Sequence, residues 1–227
     1  MVFEAKNICF HYKKDVDILK GFDLTMDHSE RVGILAPSGF GKTTLCKILA
    51  GYIRPHCGQV LLDGKDIHQI KGYCPVQMIW QHPEKSVNPR LKIKSVIDEG
   101  DEIEDRVIDG LGIERDWFNR FPTELSGGEL QRFCIARAMG KRTKLIIADE
   151  ISTMLDLITQ SQIWDFLLKE VAMRKIGLIA VTHSDALMAQ IATRQVNLDA
   201  DSLDEDVLKG SQIIVRPRIP QRVSSKR

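Results

Sequence analysis

The chain has 227 residues, 43% of them hydrophobic and 28% charged, and a formal net charge of +1. That composition suits a globular domain with a sizeable core rather than a disordered chain, and the small net charge gives no global electrostatic case for nucleic acid. Five scattered cysteines without metal-ligand spacing predict free thiols in a reducing compartment, and no run approaches the ~18 apolar residues of a membrane span.

The first stretch, MVFEAKNICFHYKKD, has no basic-then-apolar leader pattern, so a cytosolic chain is expected. Short strands are predicted at Phe3 to Tyr12, Ile18 to Met26 and Arg31 to Ala36, followed by a helix from Lys42 to Tyr52. CGQVLLDGKDI reads as a hairpin turning at Asp63-Gly64, and Pro75 to Trp80 as another strand. Residues 81–124 change character, with Pro83, Pro89 and the acidic run DEGDEIEDR, and read as a small helical insertion. The acidic run is expected to be a solvated helix face. Beyond it, helix and strand alternate. Gly128 to Met139 is a helix with Leu130, Phe133, Cys134 and Ala138 on one face. KLIIAD and GLIAVT are apolar runs suited to strands buried on both faces, and Trp164, Leu167, Leu168 and Val171 mark a helix between them. This alternation predicts an α/β core with a mostly parallel sheet, whose ligands bind beyond the carboxyl ends of the strands.

APSGFGKTT, Ala36 to Thr44, is built to hold phosphate. Gly39 and Gly41 admit backbone conformations closed to other residues. Pro37, Ser38, Phe40 and the glycines can then aim N–H groups at phosphate oxygens, helped by the helix start at Lys42. Lys42 can reach the β- and γ-phosphates, the Thr43 hydroxyl can bind Mg²⁺, and Thr44 can bond the α-phosphate side. The competing reading is a glycine-rich turn with no ligand. In LIIADE, Asp149 would hold Mg²⁺ and Glu150 would polarise the water attacking the γ-phosphate.

LSGGELQRFCIARA, Leu125 to Ala138, opens a second helix with Ser126, Gly127 and Gly128, a second anion-seeking N-terminus. With the loop at 36–44 and the strand at 145–150, in that order, this run resembles the signature of ATP-binding cassette (ABC) ATPases. The resemblance extends from residue 2 to about residue 198. It implies a P-loop NTPase core with an antiparallel β subdomain at the N-terminus and a helical insertion subdomain. The whole chain would be one ABC ATPase domain: core at 1–80 and 141–215, helical signature subdomain at 81–140, basic tail at 216–227.

Residues carry over individually. Tyr12 resembles the aromatic that stacks on adenine, or else is a strand core residue beside Phe10. Gln81 resembles the glutamine that touches Mg²⁺ and the attacking water. Ser126, Gly127, Gly128 and Glu129 match the signature turn that meets a nucleotide held by a second chain. Asp156 resembles the acid that contacts that chain and also suits a helix N-cap. His183 resembles the histidine that contacts the γ-phosphate. Three positions depart from the pattern: Ala36 and Glu129 stand for glycine and glutamine, and Ile151 stands for proline, which would loosen the backbone beside Glu150. None removes a charge or donor that hydrolysis requires.

The resemblance implies ATP and Mg²⁺ as cofactors and a head-to-tail pair of ATPase subunits, identical or different. It implies an integral membrane permease docked on the insertion, served indirectly by a substrate-binding protein, with the chain peripheral at the cytoplasmic face. QHPEKSVNPR and RFPTELSGGE resemble the peptide, opine and nickel importer ATPases. The alternatives are a soluble ABC ATPase of translation or DNA repair, and a weakly hydrolysing partner in a heterodimer. The acidic DADSLDED and basic RPRIPQRVSSKR segments read as a solvated end, or as a weak lipid contact.

Overall fold

The computed structural model describes residues 1–13, 16–36, 39–153 and 155–198. The tail, with its predicted solvated end, lies outside them.

Two sheets organise the chain. The first is antiparallel and built from β1 (Val2–Lys13), β2 (Val16–Asp27), β4 (Cys57–Leu62) and β5 (Lys65–Asp66), in the order β2-β1-β4-β5. The hairpin between β4 and β5 turns at Asp63 and Gly64, whose φ values of 51° and 76° place both in the left-handed region. Two-residue hairpins favour that turn because its twist matches the strands.

The second sheet is parallel. It contains β3 (Arg31–Leu35), β6 (Val76–Ile79), β7 (Leu145–Asp149), β8 (Gly177–Val181) and β9 (Arg194–Asn197), in the order β6-β7-β8-β3-β9. Every residue of β7 and β8 is buried, as their apolar runs require. Their side chains alternate between two cores. Leu145, Ile147, Ile179 and Val181 face a core shared with the antiparallel sheet and α1 (Lys42–Leu49). Ile146, Ala148, Leu178 and Ala180 face the other core, with α4 (Gly127–Ala138), α5 (Leu157–Arg174) and α6 (Asp185–Ile191). Phe3, Phe22 and Phe133 are fully buried, each contributing about 1.5–3 kcal/mol of apolar transfer.

The insertion after β6 holds α2 (Ile93–Asp98), α3 (Asp105–Gly110) and several single 3₁₀ turns. Ile93, Ile97, Val107, Ile108 and Leu111 pack into the second core, and Arg106 reaches Glu170 on α5.

Three expectations change. The acidic run is not one solvated helix face: residues 99–104 are irregular, Asp101 is paired with Arg142, and Glu102 bonds Lys141. Helix α1 ends at Leu49 rather than Tyr52. Gly51, at φ 78°, turns the chain, and the Tyr52 N–H donates back to the Lys47 carbonyl at 2.8 Å. Finally, Cys9 and Cys57 are not free thiols. They face each other across β1 and β4 with Cα atoms 5.1 Å apart and form a disulfide. Pairing across strands 48 residues apart leaves no local sequence signal. Cys46, Cys74 and Cys134 are free. No helix among the described residues is long and apolar enough to cross a membrane.

Candidate active site

Four neighbouring strands deliver the site. Beyond their carboxyl ends come Gln81 after β6, Glu150 after β7, His183 after β8, and the glycine-rich loop after β3.

The loop enters α1 through Gly39 (φ 88°) and Gly41 (φ 81°), the latter serving as the N-cap. A Cβ at Gly41 would fall 2.4 Å from Ile18 Cγ2, so both the φ and the space demand glycine here. Ile18 packing over the loop has no motif to announce it. Pro37 and Ser38 lie outside the described residues; Phe40 packs against the first core. Ala36 is buried and is not among the residues with positive φ, so alanine fits where the usual pattern has glycine.

Lys42 is buried, and its Nζ donates to the Ala36 carbonyl at 2.8 Å. The same Nζ lies 3.6 Å from Glu150 Oε1. Gln81 Nε2 donates to Glu150 Oε2 at 3.1 Å, and His183 Nδ1 stands 3.6 Å from that oxygen. Glu150 thus collects Lys42, Gln81 and His183 around one carboxylate. Its backbone is left-handed at φ 49°, held by its N–H on the Val181 carbonyl; such strain concentrates at functional positions. Ile151, the next residue, is buried in the second core.

Asp149 is the buried neighbour. Burial pushes its carboxyl above the ordinary range; a bond from the Thr43 hydroxyl opposes that, and the charge of Glu150 adds to it. Its Oδ1 is buried with no protein partner. An orphaned carboxylate oxygen beside a hydroxyl and a second carboxylate fits a hard divalent cation with oxygen ligands, such as Mg²⁺. Thr44 Oγ1 shares a 3.2 Å hydrogen bond with the Tyr12 hydroxyl. Tyr12 is 61% exposed and meets Phe10 edge-on at 4.9 Å, so it is not a core residue.

The family model for ABC transporters matches residues 19–153. The chain belongs to the ABC transporter family. It is 31% identical to the probable peptide ABC transporter ATP-binding protein y4tS of Sinorhizobium fredii, over 81% of this chain and 58% of that protein. It is 26% identical to the nickel import system ATP-binding protein NikE of Staphylococcus aureus, over 90% of each. The dimeric structure of MJ0796, a bacterial ABC transporter cassette, superposes with a TM-score of 0.74 at 25% identity, covering 86% of this chain and 94% of that one. The chain therefore spans little more than half of y4tS but nearly all of NikE.

Ser126, Gly128, Glu129 and Asp156 line a cleft that the Lys42–Glu150 cluster does not share. Ser126 is the N-cap of α4, its Oγ accepting from the Glu129 N–H at 3.3 Å. Asp156 is the N-cap of α5, its carboxylate accepting from the Ile158 and Thr159 N–H groups at 3.0 Å each. Those bonds hold its carboxyl below the ordinary range, the Thr159 N–H foremost. Their shared cleft has a volume of ≈ 500 Å³, and none of Lys42, Gln81, Glu150 and His183 lines it. Gly127 is exposed beside it.

Proposed function

We propose that this chain is the ATP-hydrolysing subunit of an ABC importer. The observation that carries the reading is the Glu150 carboxylate gathered by Gln81, Lys42 and His183 beside the buried, metal-seeking Asp149. Residues 39–44 would cradle the triphosphate, Lys42 binding the β- and γ-phosphates. Thr43, Asp149 and Gln81 would hold Mg²⁺, which when bound neutralises charge on the phosphates. Glu150 would orient a water and take its proton as the water oxygen bonds to the γ-phosphorus. The bond from that phosphorus to the bridging oxygen breaks, and ADP leaves. His183 would donate to the departing γ-phosphate.

Tyr12 would stack on adenine. Tyr12→Ala is expected to weaken ATP binding by about 5- to 150-fold, equivalent to ~1–3 kcal/mol of stacking. Titration calorimetry checks this, and an unchanged affinity would return Tyr12 to a structural part.

The separated signature cleft supports a head-to-tail pair, in which Ser126 and Gly128 meet a nucleotide held by a second cassette. Glu129 and Asp156 would stand at that seam. ATP then closes the pair and hydrolysis opens it, a population shift driven by differential affinity. A groove of ≈ 470 Å³ lies between core and insertion, lined by Tyr52, Tyr73, Trp80, Lys85, Ser86 and Arg137 among others. Its occupant would be a short helix of a membrane permease, placing this subunit on the cytoplasmic face. The names of y4tS and NikE favour peptide or nickel as cargo. The division into core, signature subdomain at 81–140 and tail at 216–227 is kept with this reading.

Co-expression with a multi-span permease tests the assignment. Membrane-bound complex whose ATP turnover rises with cargo and its binding protein is the expected result. A chain that hydrolyses ATP at full rate and never partitions with a permease would sink the importer reading.

A further inference from the structure

The first turn of α4 already holds an anion of its own. The Ser126 N–H donates to Glu129 Oε2 at 2.6 Å, while the Glu129 N–H donates to Ser126 Oγ at 3.3 Å. This reciprocal box satisfies two groups that a helix start otherwise offers to outside anions. We propose that Glu129 is an internal competitor for the γ-phosphate brought by a second cassette, and so sets how tightly the ATP-bound pair closes. The inference rests on the reading that Ser126 meets a triphosphate across the seam.

The surroundings strengthen the effect. Ser126 and Gly127 are exposed, and a Cβ at Gly127 would meet nothing within 4 Å, so approach to the turn is open. The charged residues lining the cleft are Glu129, Asp156 and Arg132. Asp156 brings a second carboxylate, already engaged with the start of α5. Arg132 donates to the Leu111 carbonyl. Two carboxylates against one guanidinium leave the cleft negative, and an incoming γ-phosphate is negative too. Closing the seam requires the Glu129 carboxylate to swing aside or to tolerate like charge at short range. By sequence Glu129 is a substitute that costs no donor; in the structure it engages one, the Ser126 N–H.

A glutamine at this position keeps the shape and removes the charge, since its carbonyl can accept the same N–H. An aspartate keeps the charge on a shorter arm. The experiment measures Mg-ATP-driven dimerisation by sedimentation velocity in a Glu150→Gln background, comparing that chain with added Glu129→Gln or Glu129→Asp. Thermal melts check that α4 stays capped. Glu129→Gln is expected to tighten association about tenfold, or ~1.4 kcal/mol, and Glu129→Asp to stay near the parent. Raising salt from about 0.05 to about 0.5 M should shrink the difference, because exposed charges are screened. Association by Glu129→Gln that is equal to or weaker than the parent's overturns the proposal while leaving the shared-nucleotide reading intact. If none of the three chains dimerises with ATP, that reading and this one fall together.

Discussion

Glu150→Gln is expected to stop multiple-turnover ATP hydrolysis, slowing it by a factor on the order of 10²–10⁴, the contribution of a positioned general base. Binding of ATP should stay within about threefold of wild type, well under the tenfold that ~1.4 kcal/mol represents. The separation follows from the contacts. Glutamine fills the same space, and its carbonyl oxygen can still accept from Gln81 Nε2, now 3.1 Å from the Glu150 carboxylate. Lys42, 3.6 Å from Oε1, loses one negative neighbour and is released toward phosphate. What disappears is the capacity to take a proton from water. The left-handed backbone at Glu150 is unchanged by the substitution, so the side chain keeps its aim. Phosphate release in single- and multiple-turnover assays, set beside calorimetric binding, makes the comparison. Equal hydrolysis by wild type and variant would remove Glu150 from the reaction.

Lys42→Met is expected to act one step earlier and weaken ATP binding by at least about 10²-fold. Charge-assisted bonds are worth roughly 1.5–3 kcal/mol each, and an ammonium bridging two phosphoryl groups makes two, about 3 kcal/mol or more together. In this structure the ammonium is buried and aimed by the Ala36 carbonyl at 2.8 Å, so it reaches its station without searching rotamers. Methionine matches the length of the stem but carries no charge. Its loss also strips the Asp149–Glu150 pair of a nearby cation, and both carboxylates then repel an incoming triphosphate. Adding excess Mg²⁺ should recover part of the affinity and none of the turnover rate. A variant binding ATP as wild type does would show that the loop amides alone carry the phosphates.

Much of the fold is legible in the sequence. LIIAD and GLIAV declared buried parallel strands because both faces of β7 and β8 are covered, one by each core. The loop, the acidic strand end and the serine-glycine turn each announced phosphate chemistry through local rules. Other features arise only when distant segments meet. Nothing near Cys9 points to Cys57, and nothing in DEGDEIEDR foretells that Arg142 would draw Asp101 out of a solvated helix. The Ser126–Glu129 box does have a local signal, a serine followed three residues on by glutamate, so the capped helix start and the family likeness are carried by the same four residues.

The position of β6 has a mechanical corollary. Among the described residues it is an outermost strand of the parallel sheet, hydrogen-bonded to β7 on one flank and to no strand on the other. Just past its end the polypeptide leaves the sheet for the insertion, and Gln81 is the second residue beyond the strand. The rim of the fold is thus joined to the candidate site by one short stretch: eleven residues lie between Gln81 and the start of α2 at Ile93, so a tug on that helix would be carried along the chain to the amide that steadies Glu150. If the importer reading holds, leverage on this one edge ribbon would be a route by which a load on the insertion reaches the amide beside Glu150.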